Sequence, residues 1–217
     1  MDREQLDKVT DELKDLVNTS QTEAPIQTFL EKNPFLVIGA NDATLNMLIS
    51  QFPLGSEFRA DFAFVNYNSG GTYLHLIEIE RPTLHIFVET DEFSQPFNHA
   101  VQQLQDWMLW CEMNQTYLQN VLEPLLQFGS SGNHLTPICK LIAGRRAELT
   151  NVKRKRRYSA KVNKSPRGVE ISTYDRFLSS LPIGAFLDAS EAEYTKCVTY
   201  KDQGFFEKEV YRVFSGE

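Results

Sequence analysis

Apolar residues recur at helical intervals near the start of the chain. Leu6, Val9, Leu13, Leu16 and Val17 form one stripe, which predicts a helix over residues 2–18. A second helix is expected in EAPIQTFLEKN, with Pro25 tolerated in its first turn and Pro34 marking its end. Around Leu45–Phe52 the pattern fits a short strand or a short helix. The period then drops to two: strands are expected near Phe58–Tyr67 and Thr72–Glu80, joined at Asn68-Ser69-Gly70-Gly71, whose residues accept positive φ. Helical spacing returns over Gln95–Cys111, with Phe97, Val101, Leu104, Met108 and Cys111 facing a core. More helix follows in LQNVLEPLL, with Pro124 expected to break it and Gly129–Asn133 expected as a loop. TPICKLIAG reads as a buried strand ending at Gly144, the segment after it as partly helical, and GVEISTYDRF as a strand running into a turn or short helix. Helices, a hairpin, then helix and strand in alternation predict an α/β fold with a mixed central β-sheet flanked by helices.

Composition adds bounds. The chain has 217 residues, 41% of them apolar and 24% charged, enough for one large domain with small additions. No run of eighteen apolar residues occurs, so no membrane partner is expected. Cys111, Cys139 and Cys197 fit neither a disulfide framework nor a zinc spacing; they read as small buried hydrophobes in a reducing, cytoplasmic setting. The net charge of -7 hides an asymmetry: ten Lys or Arg and one acid, Glu148, lie between Arg145 and Arg167. That segment carries +9 against -16 for the rest, which points to an anion-binding element on an acidic body. A solvated helix or loop is the plainer alternative.

The hairpin carries the chemistry. If it is symmetric about Ser69-Gly70, paired residue numbers sum to 139 and Asp61 stands opposite Glu78. Glu80 shares the face of Glu78, while Ile77 and Ile79 take the other face with Phe62 and Phe64. Two carboxylates about 4–5 Å apart repel by a few kcal/mol at an effective dielectric near 20. A shared proton, a salt bridge to Arg59 or Arg81, or a divalent cation would offset this, hard metals preferring carboxylate oxygens. An exposed hairpin face with its acids paired to those arginines is the structural alternative.

Asp61 followed by Glu78-Ile79-Glu80 on the adjoining strand resembles the metal-binding core of the PD-(D/E)XK nuclease superfamily. The wider set IQTFLEKNPFLV, RADFAFV, HLIEIERP, QLQDW, IAGRRAEL and ISTYDRF, spanning residues 23–178, is similar to the nuclease domain of the Shedu anti-phage defence proteins. That resemblance implies a restriction-endonuclease-like fold, metal-dependent cleavage of DNA (an endonuclease or nickase acting on phage DNA), Mg²⁺ or Mn²⁺, and a homo-oligomer, with a tetramer as the implied assembly. It implies Asp61, Glu78 and the Ile79 carbonyl as metal ligands, Glu80 as base, second-metal ligand or water-mediated partner, and Gln103 as a donor from the following helix. Glu23 would be an additional acid. Two departures stand out: Glu80 occupies the position where the pattern most often has Lys, and Trp107 replaces a Tyr, leaving a stacking surface and an indole donor.

Arg145 and Arg146 are expected to grip phosphate, with Lys153, Arg154, Lys155, Arg156 and Arg157 adding sequence-independent contacts. His75, His85, His99 and His134 show no metal-ligand spacing, and no Gly-rich phosphate loop implies a nucleotide cofactor. The expected organisation is an N-terminal helix over 1–20, the nuclease-like domain over 21–188, and a C-terminal extension over 189–217 assigned to self-association. The competing readings are a nuclease-fold protein that binds DNA without cutting it, and an oligomerising domain with Trp107, Trp110 and FFEKEVYRVF at an interface.

Overall fold

The computed structural model describes residues 3–39, 43–128, 134–181 and 194–216. The loop expected over 129–133 and the domain boundary at 188/189 lie outside them. Three helices open the chain: α1 (Arg3–Thr19), α2 (Ala24–Lys32) and the single turn α3 (Phe35–Ile38). Pro34 does more than end α2, because it sits at the N-cap of α3, where a missing N–H costs nothing. The ambiguous stretch at 45–52 is strand: β1 (Met47–Leu54), followed by β2 (Phe58–Asn68) and β3 (Gly71–Ile79). Then come α4 (Gln95–Met113), α5 (Gln115–Leu126), β4 (Leu135–Ile142), α6 (Val152–Asn163), β5 (Val169–Ser172), α7 (Tyr174–Ser180), β6 (Lys196–Thr199) and α8 (Gln203–Ser215). Pro124 does not break α5 where expected; it stands in the last turn, and the helix ends two residues later.

The six strands form one mixed sheet in the order β5-β4-β3-β2-β1-β6, with β1, β2 and β3 antiparallel and the other pairings parallel. The hairpin register is the one the turn predicts, from Phe62↔Ile77 to Asn68↔Gly71. Helices cover both faces. On one, α4, α5 and α8 pack Phe97, Val101, Leu104, Leu118, Leu122 and Phe206 against Ala63, Val65, Leu74 and Leu76. On the other, α1, α2, α3 and α7 pack Leu13, Ile26, Leu30, Tyr174 and Phe177 against Phe62, Phe64, Ile77 and Ile79.

Cys111 and Cys139 are buried and Cys197 is half-buried. Along α4 the core takes Trp107 and Trp110 as well as the expected stripe, and Met108 is only half-buried. Trp107 is completely buried, so the stacking surface expected there is absent, and neither tryptophan is free to form an interface. Among the described residues no helix is long and apolar enough to cross a membrane.

Candidate active site

Strand alternation breaks at one place. In β1, Met47 and Ile49 face the α4 side, but after Gln51 it is Phe52 and Leu54 that do. Gln51 has φ of 58°, a left-handed conformation costing a non-glycine residue of order 1 kcal/mol or more. The paired strand switches phase at the same level: Ala60 and Ala63 both pack on the α4 side. The register keeps one offset from Ile49↔Ala63 to Leu54↔Phe58, with Gln51 and Asp61 at the break between Ser50↔Phe62 and Phe52↔Ala60. Ser50 shares the other layer with Leu48 by ordinary alternation, and its hydroxyl donates to Glu31 of α2. Gln51 is left hydrogen-bonded to Asp61.

Asp61 then reaches across the hairpin rather than simply facing Glu78: its Oδ2 accepts the backbone N–H of Ile79 at 2.9 Å. Glu78 accepts from Gln103 Nε2 of α4 at 3.0 Å, so the strand dyad and the helix meet directly. Glu80 lies beyond the end of β3, but its amide still bonds the Ile142 carbonyl at 2.9 Å, and its own carbonyl accepts the Tyr174 hydroxyl at 2.7 Å. Two strands and two helices therefore fix the three acids.

The electrostatics are unfavourable to three charges. Burial is the largest influence on Asp61 and raises it above the ordinary carboxylate range; the Ile79 amide pulls the other way, and the charges of Glu23 and Glu80 raise it further. Glu78 is raised past neutrality, first by burial, then by Asp61 and Glu80, with Gln103 opposing. Glu80 is raised by burial and by Glu23, while Arg81, its amide and His99 lower it. The salt bridges expected from Arg59 or Arg81 are not formed: among the described residues no ion pair involves Asp61, Glu78 or Glu80. Arg81 and His99 act on Glu80 from a distance, but among the described residues no cation is a main influence on Asp61 or Glu78.

Glu23, at the N-cap of α2, acts on all three acids. Among the described residues no three His, Cys, Asp or Glu side chains converge closely enough to hold a metal by themselves. Asp61 is the acid that acts most strongly on Glu78, and the two make an all-oxygen pair. Hard oxygens of this kind suit Mg²⁺ or Mn²⁺, ions that keep several waters and take few protein ligands.

Two neighbours were missed from the sequence. His99 precedes Gln103 by one helical turn and acts on Glu80, a relation that i, i+4 spacing could have flagged. Gln51 sends no such signal, since nothing in MLISQFPL marks the kink. The other histidines have ordinary places: His75 stacks on Phe64 at 4.3 Å, with burial and Lys140 lowering it to about 4, and exposed His85 pairs with Glu148 at 3.0 Å.

The basic segment divides. Arg145 holds Asp175 through two hydrogen bonds of 3.2 and 3.0 Å and reaches Asn18 at 2.9 Å, pinning α7 and α1 together. Arg154 and Lys153 pair with Asp91 at 2.6 and 3.7 Å, and Arg157 pairs with Glu92 at 2.6 Å. Glu148 accepts the amides of Ile86 and Phe87 at 2.8 and 3.1 Å, fastening the same loop. Gly144, at φ of 62°, lets that loop close on the end of β4, because a Cβ there would meet the Leu84 carbonyl at 2.8 Å. Arg146, Lys155 and Arg156 are exposed.

A family model described as Shedu protein SduA, C-terminal, matches residues 20–178, the stretch that holds the acids, Gln103 and the basic helix. The chain belongs to the Shedu family. Membership places it in anti-phage defence. No curated protein matches the chain. The Shedu match covers α2 through most of α7, leaving all of α1, β6 and α8 outside it.

Proposed function

We propose that this Shedu chain is a divalent-metal-dependent deoxyribonuclease, an endonuclease or nickase of PD-(D/E)XK type that hydrolyses phage DNA. The observation that carries the reading is the meeting of Asp61 and Glu78: two desolvated carboxylates on neighbouring strands that form no ion pair among the described residues. Such a pair is costly to keep and is explained by a cation that neutralises it. Asp61, Glu78 and the Ile79 carbonyl would hold Mg²⁺ or Mn²⁺, which supplies positive charge against the phosphate and acidifies a nearby water. Gln103 orients Glu78, and the Ile79 amide orients Asp61. Glu80, less buried than Glu78, accepts the proton of the attacking water, with His99 and Arg81 beside it. The protein acts in the cytoplasm as a homo-oligomer, a tetramer in this reading; α8 offers exposed Tyr211 and Phe214 for self-association.

The test is supercoiled plasmid incubated with Mg²⁺ or Mn²⁺, alongside EDTA and Glu78→Ala. Metal-dependent nicking abolished in the variant is expected. Glu80 in place of Lys favours a second reading, a nuclease-fold protein that binds DNA without cleavage. Retardation of the plasmid with no nicking under either metal would establish that reading and end the first.

A further inference from the structure

The partners of α6 sort its cations into two sets with different work. Lys153, Arg154 and Arg157 turn toward residues 88–92, where Arg154 also bonds the Val88 carbonyl at 2.9 Å and Arg157 the Asp91 carbonyl at 2.6 Å. Arg154 lies over the Phe87 ring at 5.2 Å from its centre. Lys161, one turn beyond Arg157, lies over Phe93 at 5.7 Å and reaches Asn98. These side chains neutralise Asp91 and Glu92 and clamp the 87–93 loop to the helix. Lys155, Arg156, Ser159 and Asn163 occupy the other side of α6 at successive turns, all exposed, the last two linked at 3.3 Å. Among the described residues, neither Lys155 nor Arg156 has a hydrogen bond or an ion pair with an acid of the chain.

We infer that the outward stripe of α6, led by Lys155 and Arg156, is the surface that grips the backbone of duplex DNA, whereas Lys153, Arg154 and Arg157 are structural. The inference rests on the nuclease reading for its choice of duplex DNA. It follows from charge: an exposed cationic stripe on a chain of net charge -7 fits a polyanion, and two cations with two neutral donors suit phosphate oxygens without reading bases. The inward cations already have their acids, so recruiting them to DNA would break pairs that hold the loop.

The test measures binding of the full-length chain to a labelled duplex in EDTA, so that cleavage plays no part, across a range of NaCl concentrations. Each phosphate contact adds about 0.9 to the slope of log affinity against log salt. Lys155→Ala with Arg156→Ala should lower that slope by roughly 2, weaken binding to unrelated duplexes alike, and leave the melting temperature unchanged. Arg154→Ala should lower the melting temperature and leave the slope near the wild-type value. Lys153→Ala removes an exposed side chain whose pairing with Asp91 is loose at 3.7 Å, and is a second inward variant that should fold normally and keep the slope. A double outward variant with an unchanged slope overturns the inference, as does a Lys153→Ala slope that falls by a full contact. Wild-type chain that binds no duplex overturns it too, and turns the stripe toward an acidic protein. Plasmid nicking is a separate readout: binding through the stripe with no nicking would sink the nuclease reading and leave the stripe standing.

Discussion

Glu78→Gln should make the metal-free protein more stable, although it removes a residue of the candidate active site. Glu78 starts from an ordinary value of 4.5 and is raised past neutrality by burial and by the adjacent acids. At pH 7 the unfolded chain therefore carries an ionised carboxylate that must take up a proton on folding. The cost is set by the gap between pH and the unfolded value, about 1.4 kcal/mol per unit, hence about 3 kcal/mol at pH 7. The amide needs no proton, its oxygen can still accept from Gln103, and its NH₂ faces the charge of Asp61. The sign follows from a raised folded value: the penalty is absent below the unfolded value and grows as pH rises through the interval between the two. At pH 5 it falls to under about 1 kcal/mol. Urea unfolding in EDTA reads the difference directly, and a chain of this size should show a rise of roughly 6–12 °C in melting temperature at pH 7. A variant no more stable than wild type at pH 7, with an unchanged m value, would refute the reasoning. So would a gain that is as large at pH 5 as at pH 7.

Three further outcomes are expected. Mn²⁺ must displace the proton from Glu78, so its affinity should rise with pH by up to about tenfold per unit between pH 6 and 7; calorimetry in two buffers of different ionisation enthalpy would show the released proton, and a flat profile speaks against the site. Glu148→Ala deprives the Ile86 and Phe87 amides of their acceptor and should cost about 2–4 kcal/mol, with faster amide exchange confined first to residues 85–93; uniform exchange throughout would mean that Glu148 does not fasten that loop. Tyr174→Phe strands the Glu80 carbonyl next to a fully buried ring and should cost about 1–2 kcal/mol by urea unfolding, whereas a neutral result would show that water replaces the hydroxyl there.

Much of the sheet was legible because the turn fixed the register. A loop rich in residues that tolerate positive φ sets the pairing, and the pairing places Phe62, Phe64, Ile77 and Ile79 on one face. What stayed hidden depended on distant partners. All the cations of KRKRR look alike in a string; only the fold brings Asp91, Glu92 and the Val88 carbonyl to one side of α6 and leaves Arg156 on the other. Arg145 likewise read as a phosphate ligand until Asp175 and Asn18, thirty residues on and more than a hundred before it, came to meet it. Trp107 was read through a motif position, yet its ring fills the α4 core and its indole N–H has no hydrogen-bond partner among the described residues.

The phase switch at Gln51 and Asp61 was illegible for a deeper reason, and it bears on function. A strand that alternates without interruption keeps each residue on the face its parity dictates. MLISQFPL has apolar residues of both parities, so either phase looks equally good in sequence. The fold accepts a left-handed glutamine, switches both strands at one level, and keeps the register. Gln51 then bonds Asp61, and the Asp61 carboxylate takes the Ile79 amide. Uninterrupted alternation would spare the left-handed glutamine but turn Phe52 and Leu54 out of the α4-side core. Positive φ also occurs at Leu45, Asn46 and Asp91, but at Gln51 it falls directly beside the desolvated acids. Backbone strain that coincides with desolvated acids is the signature of a site kept for its chemistry rather than for the fold.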